Sequence, residues 1–284
     1  FVREAAIAAS LEHPHIVAVY DYGSTGEVRY VAMRLLTGGT LSDRLNERRE
    51  CQQPYTPAEV NRILAPLASA IDYAHKRGIV HRDIKPSNIM FDGQDRPYLV
   101  DFGIARLMDT HSGMTQTGHA LGTPAYMPPE QWMGKEATSP SDVYALGAVT
   151  FEMLTLHPPF EASNPFALMQ LHVQQPPPLV NDLQPNLPSL VGLTVRQALQ
   201  KLETDRFPTA GLFAEAFIDA TQGRTSPTLI LGDLHQATSA VTEIPTISPD
   251  TVNLKPGPEK RRRRSLLVFA VLLLGILACG GYAV

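Results

Sequence analysis

His81-Arg82-Asp83-Ile84-Lys85-Pro86-Ser87-Asn88 is the stretch on which the reading of this sequence turns. It sets a carboxylate, an ammonium and a carboxamide within six residues. Thirteen residues after Asn88 comes Asp101-Phe102-Gly103. Farther on stand Gly122-Thr123-Pro124-Ala125-Tyr126-Met127-Pro128-Pro129-Glu130 and Ser141-Asp142-Val143-Tyr144-Ala145-Leu146-Gly147. One such motif can arise by chance, but four in this order argue against it. Between them, Ile79 to Asp101 alternates short strands with loops, and residues 102 to 128 are polar and rich in Gly and Thr. Ser141 to Leu156 reads as a strongly apolar central helix.

This succession of motifs resembles the eukaryotic-like protein kinases, and the whole set is similar to the bacterial membrane-anchored Ser/Thr kinases. The resemblance covers about residues 1–218. It implies an α+β, protein-kinase-like fold with a mostly helical C-lobe and a partial N-lobe of one helix and two strands. Phosphoryl transfer asks for charge management more than covalent help. Asp83 matches the base that receives the substrate hydroxyl's proton. By resemblance, Lys85 contacts the γ-phosphate of ATP, and the Asp-x-Lys spacing is that of the Ser/Thr-specific branch. Asn88 and Asp101 offer hard oxygen ligands suited to Mg²⁺, with Mn²⁺ as the alternative. Arg82 matches the arginine that pairs with an activation-loop phosphate and orders the loop. Thr115 and Thr117 resemble an autophosphorylated pair, and Thr123 resembles the residue that contacts the catalytic Asp. Glu130 is expected to pair, buried, with Arg206, and Asp142 to anchor the catalytic loop from the central helix. His81 and Phe102 match an apolar spine that stacks between the lobes.

Phe1 to about Leu11 has helical spacing, and Arg3-Glu4-Ala5 resembles the N-lobe helix whose glutamate pairs with a phosphate-binding lysine. That lysine and the Gly-rich loop lie upstream in the family. A chain opening on Phe1 is therefore expected to be a fragment, one that binds ATP poorly and is inactive alone. Ile16 to Tyr22 and Val28 to Leu35 read as strands around a Gly23–Gly26 turn. Met33 falls at the gatekeeper position, and Arg34-Leu35-Leu36 would be the hinge, which puts Met33 and Leu36 in the nucleotide-binding set. Arg34 stands where the family usually has an acidic residue. Leu41 to Arg49 reads as a short helix. A longer one runs from Pro57 to Arg77, capped by Thr56, with an apolar face of Ile63, Leu67, Ala70, Ile71 and Ala74. Pro66 inside it is expected to kink the helix or cost about 3 kcal/mol.

The 284 residues are 44% hydrophobic, which excludes a wholly disordered chain. Two cysteines exclude a disulfide scaffold and a Cys-based zinc module. A net charge of −4 gives no support for a nucleic-acid partner, and the nine histidines read as surface or packing residues. Five basic residues form one run, Lys260 to Arg264; setting it aside leaves 19 basic against 28 acidic residues. The run precedes an apolar stretch, Leu266 to Val284, about 28 Å long as a helix, which reads as a transmembrane span with its cytoplasmic flank. Thr221 to Glu259 is rich in Thr, Ser and Pro and reads as a linker. The expected division is a kinase domain at 1–218, a juxtamembrane linker at 219–264 and a transmembrane helix at 265–284, with the kinase on the cytoplasmic side of the cell membrane. Expected partners are protein substrates, the membrane and a second copy of the chain. The rival reading is a non-catalytic, membrane-tethered scaffold.

Overall fold

Helix α4 (Ser139–Thr155) sets the architecture. It is apolar on every side, and each residue from Ser141 to Thr155 is buried, as befits a helix enclosed by others. It begins two residues before the expected Ser141. Thr138 caps it, its N–H donating to Ser141 Oγ at 2.9 Å, and Pro140 is tolerated in the first turn, where no intrahelical N–H bond is due. It ends on Leu156, which adopts the left-handed region (φ 66°) and closes its N–H on Glu152 O at 2.7 Å.

In this computed structural model, residues 9–26, 28–102 and 124–229 are described, and all belong to one unit, Phe1–Asp233. The other helices lying wholly within the described residues are α1 (Leu41–Glu50), α2 (Pro57–His75), the single turn α3 (Pro129–Trp132), α5 (Pro165–Gln174), α6 (Val180–Leu183), α7 (Ser189–Ala198) and α8 (Ala210–Thr221). Helices α2, α7 and α8 pack on α4, and α8 packs on both α2 and α7. Thr56 caps α2 in a reciprocal box with Glu59, the side chain of each taking the other's backbone N–H. The expected apolar face of α2 is buried, with Val60, Leu64 and Ala68 added to it. The helix also runs unbroken through Pro66. The carbonyl deprived of its partner belongs to Arg62, an exposed residue, so water can satisfy it while the buried face holds the helix. Near the end of α2, Asp72 accepts the N–H groups of Ala210 (2.9 Å) and Gly211 (3.0 Å) and so caps α8 from a distant part of the chain.

Helices α4 and α7 meet closely at Gly147, where an added Cβ would lie 2.8 Å from Ala198 Cβ. Gly147→Val is therefore expected to lower stability by about 1–3 kcal/mol through overpacking, read as a fall in thermal midpoint; an unchanged midpoint would show that the helices can part without cost.

Two antiparallel hairpins complete the described fold. Strand β1 (Val19–Thr25) pairs with β2 (Val28–Met33), in a register running from Val19↔Met33 to Thr25↔Val28. The strand extends through Gly23 to Thr25, so the connection is tighter than the expected turn and rests on Gly26 at φ +61°. Strand β3 (Ile89–Phe91) pairs with β4 (Pro97–Leu99), Ile89 opposite Leu99. The segment before β1 lies beside β4, with Leu99 N–H donating to His15 O at 2.8 Å and Val17 N–H to Leu99 O at 3.1 Å. Among the described residues no helix is long and apolar enough to cross a membrane. The expected span at 265–284 and the basic run 260–264 lie outside the described residues, as does most of the expected linker.

Candidate functional site

The β3–β4 ladder brings the key polar residues together. Asn88 immediately precedes β3, and Val100 and Asp101 follow β4, so all three emerge at the same end of the hairpin. Val100 N–H donates to Asn88 O at 3.0 Å, extending the ladder by one step. A 3₁₀ turn over Pro86–Asn88 then returns the chain to Lys85 and Asp83.

The segment from His81 to Asp83 is held from below by α4. Buried Asp142 accepts His81 N–H at Oδ2 (2.8 Å) and Arg82 N–H at Oδ1 (2.9 Å), and its Oδ2 also meets His75 Nε2 at 2.7 Å. Three partners satisfy a carboxylate that is 1% exposed. The His81 ring bridges the backbone at Asp83 and Val100. Asp83 N–H donates to Nδ1 at 3.3 Å, which leaves the proton on Nε2 to donate to Val100 O at 2.9 Å. Burial lowers the His81 pKa, and the carboxylates of Asp142, Asp83 and Asp101 only partly offset it, so the ring stays neutral with this tautomer. The same ring packs on buried Phe102, with centroids 4.6 Å apart.

Asp83 points toward solvent with its side chain 44% exposed. Its Oδ2 receives Lys85 Nζ at 2.7 Å and Asn88 Nδ2 at 2.9 Å, and Asn88 Nδ2 also donates to Asp83 O at 2.8 Å. Among the described residues no donor reaches Oδ1, so that oxygen is able to accept a proton. With the Asn88 nitrogen committed to Asp83, its carboxamide oxygen is the atom left for a cation. Arg82 and Asp101 both adopt positive φ, +70° and +58°. Such a conformation costs a non-glycine residue roughly 1 kcal/mol or more and persists only where its surroundings impose it.

Glu130 and Arg206 meet in the interior in a bidentate pair, Nη1 to Oε1 and Nη2 to Oε2, each at 2.8 Å. Ser141 Oγ donates to the same carboxylate at 2.6 Å. Met33 ends β2 and is 36% exposed, whereas Leu36 is buried with Val17, Tyr98 and Val100. Arg34 turns onto Tyr98, donating to its hydroxyl at 3.0 Å, and lies 3.7 Å from Asp92. Arg82 reaches Glu136 at 3.5 Å. Glu4, Thr115, Thr117 and Thr123 lie outside the described residues.

Sequence reasoning passed over three contacts around this site. His75 joins Asp142, as given above. Gln131 Nε2 donates to Arg82 O at 3.1 Å. Glu152, buried in α4, is held by Arg49 of α1 and by the Tyr126 hydroxyl, which donates at 2.6 Å. Burial raises the Glu152 pKa despite those two partners. A signal for the last contact was present in the sequence, since a lone Glu inside the otherwise apolar run of α4 demands a partner. His172, another buried residue, is pushed down to about 3 by burial and shares a 2.8 Å hydrogen bond through Nδ1 with the Tyr144 hydroxyl.

Residues 1–213 match the sequence profile described as the protein kinase domain. A probable serine/threonine-protein kinase of Corynebacterium efficiens is 35% identical over 99% of this chain and 47% of its own length. The serine/threonine-protein kinase PknD of Mycobacterium tuberculosis is 39% identical over 84% of this chain and 34% of its own. The chain thus spans half or less of the length of these curated relatives. Among solved structures, the PknI kinase domain of Mycobacterium tuberculosis superposes with a TM-score of 0.62 at 29% identity, covering 78% of this chain and 77% of that one.

Proposed function

The chain belongs to the protein kinase family, and we propose that it is the catalytic region of a bacterial-type Ser/Thr protein kinase that transfers the γ-phosphate of ATP to protein Ser and Thr hydroxyls. The observation that carries this reading is the Asp83 carboxylate, fixed by Lys85 and Asn88 through Oδ2, with no donor on Oδ1 among the described residues. In the proposed reaction the substrate hydroxyl oxygen forms a bond to the γ-phosphorus as the bond to the ADP oxygen breaks, and the hydroxyl proton passes to Asp83. Lys85, on the carboxylate, would steady the γ-phosphate through its charge. The oxygens of Asn88 and Asp101, at one end of the β3–β4 hairpin, fit a divalent cation, and Mg²⁺ suits them best. That ion would neutralise phosphate charge during transfer.

The remaining roles rest on the resemblance. Met33 and Leu36 contact the nucleotide, Glu4 pairs with the phosphate-binding lysine, and Thr123 contacts Asp83. Arg82 receives phosphate carried by Thr115 or Thr117. The basic run 260–264 and the apolar stretch 265–284 support a single span anchoring the kinase to the cytoplasmic face of the cell membrane, after a linker at 219–264. Dimerisation through the back of the N-lobe is part of the same reading.

Incubating the full-length protein with labelled ATP, Mg²⁺ and a degenerate Ser/Thr/Tyr peptide library is expected to label Ser and Thr and spare Tyr, with phosphate appearing on Thr115 or Thr117. Stable association with partner proteins without any phosphate transfer would support the scaffold instead.

A further inference from the structure

Arg82 is the most constrained residue of the site. It precedes Asp83, so its carbonyl belongs to the peptide plane that ends at the Asp83 nitrogen, and its φ of +70° is costly for a residue with a Cβ. Two side chains hold that conformation from opposite ends. Asp142 takes the Arg82 N–H from the α4 side at 2.9 Å. Gln131 takes the carbonyl from the α3 side, its carboxamide nitrogen donating at 3.1 Å. A carbonyl can only accept, so the orientation of the amide is fixed by the contact.

Gln131 is itself held firmly. It is 8% exposed and sits on α3, a single turn opened by Pro128 and Pro129. Its neighbour Glu130 is locked into the interior by both arms of Arg206. Consecutive helical residues point about 100° apart. The same turn therefore sends one side chain to the foundation of the helical lobe and the next onto the backbone before the catalytic carboxylate. Gln131, Arg82, Asp83 and Lys85 border one cavity of about 40 Å³, enough to hold water beside them.

We infer that Gln131 is a positioning residue for phosphoryl transfer: by hydrogen-bonding the Arg82 carbonyl it keeps Arg82 left-handed and so aims Asp83. This rests on the kinase reading above. The Gln131 amide nitrogen is spent on the Arg82 carbonyl, so its loss should change the aim of the carboxylate rather than the binding of nucleotide or substrate. A misplacement of a fraction of an ångström at the base lowers turnover without altering ground-state affinity.

The test uses the full-length kinase. Gln131→Met keeps the length and bulk of the side chain and removes the donor. It is expected to lower kcat about tenfold, with KM for ATP and for peptide within about twofold of wild type and the thermal midpoint unchanged. The decisive comparison repeats the substitution in an Arg82→Gly background. Glycine adopts positive φ without penalty, so a device that holds Arg82 left-handed has little left to do there. Arg82→Gly lowers activity on its own account, but adding Gln131→Met should then reduce kcat by less than about twofold, a strong departure from additivity. The proposal is overturned by an unchanged kcat in Gln131→Met, by a loss that tracks a fall in thermal midpoint, or by equal losses in the two backgrounds. An inactive wild-type protein would sink the kinase reading itself, an outcome distinct from an active wild type matched by its Gln131→Met variant.

Discussion

Asp83→Asn in the full-length protein is expected to reduce kcat for peptide phosphorylation by roughly 10²- to 10⁴-fold, the range for loss of a positioned proton acceptor. The substitution is nearly isosteric, and its geometry can survive. An amide oxygen in the place of Oδ2 still accepts from Lys85 and Asn88, whose donors lie 2.7 and 2.9 Å away, and Asp83 O still accepts from Asn88 at 2.8 Å. The amide nitrogen then occupies the Oδ1 position, where it presents hydrogens to a hydroxyl that must lose one. Backbone anchors from Asp142 and His81 are untouched, so thermal midpoint and nucleotide affinity should stay near wild type. Single-turnover rates with saturating ATP separate the chemical step from binding. Turnover within about threefold of wild type would remove Asp83 from the role of base, whereas loss of both turnover and folding would point to a structural carboxylate.

The site was readable in the sequence to the extent that it is local. Asp83, Lys85 and Asn88 lie within six residues, so a short motif brings them together once the 3₁₀ turn at Pro86 forms. Asp101 joins them because the β3–β4 hairpin fixes its register through its turn geometry, loop length and buried strand residues. The central position of α4 was legible for another reason, since a helix apolar all round has to be enclosed. What escaped was the set of contacts between remote residues of unremarkable type. Gln131 sits 49 positions from Arg82, and Arg49 sits 103 from Glu152. No periodicity marks a glutamine that will donate to one backbone carbonyl. Pro66 sits inside a continuous helix, as expected; its penalty is local, while the burial that offsets it comes from helices far along the chain. The activation-loop threonines and Glu4 rest on resemblance, which gives them a role without a position.

Arg206→Ala is expected to destabilise the fold by about 3–5 kcal/mol, because it strands a buried carboxylate rather than merely deleting a contact. The arginine side chain is fully buried, and each of its five N–H donors has an acceptor. Nη1 and Nη2 each take one Glu130 oxygen at 2.8 Å, and the other three donors reach Gln200 O (2.7 Å), Pro140 O (3.0 Å) and Lys201 O (3.1 Å). Alanine leaves three carbonyls and one carboxylate facing a void, with Ser141 still donating to the carboxylate. For a domain of this size the loss corresponds to a fall in thermal midpoint of roughly 10 °C. The pH dependence identifies the cause. Burial pushes the Glu130 pKa up, but the Arg206 hydrogen bonds and charge, with Ser141, more than reverse it and hold the carboxyl below its ordinary value. In the wild type the pair's contribution is complete above the unfolded value of 4.5 and disappears as pH falls through the lower folded one. In Arg206→Ala the upward push of burial loses its main opponent, so acid protonates Glu130 in the folded state at a higher pH than in the wild type and relieves the penalty. The stability gap between variant and wild type should therefore be widest at neutral pH and narrow toward pH 4. A gap that is constant with pH would assign the loss to packing alone. Converting both partners to methionine should recover much of the stability, since it removes the charges together with their desolvation. Such a double variant would keep the fold while loosening α3, the turn that aims Gln131 at Arg82, and its kcat should fall even where its midpoint does not.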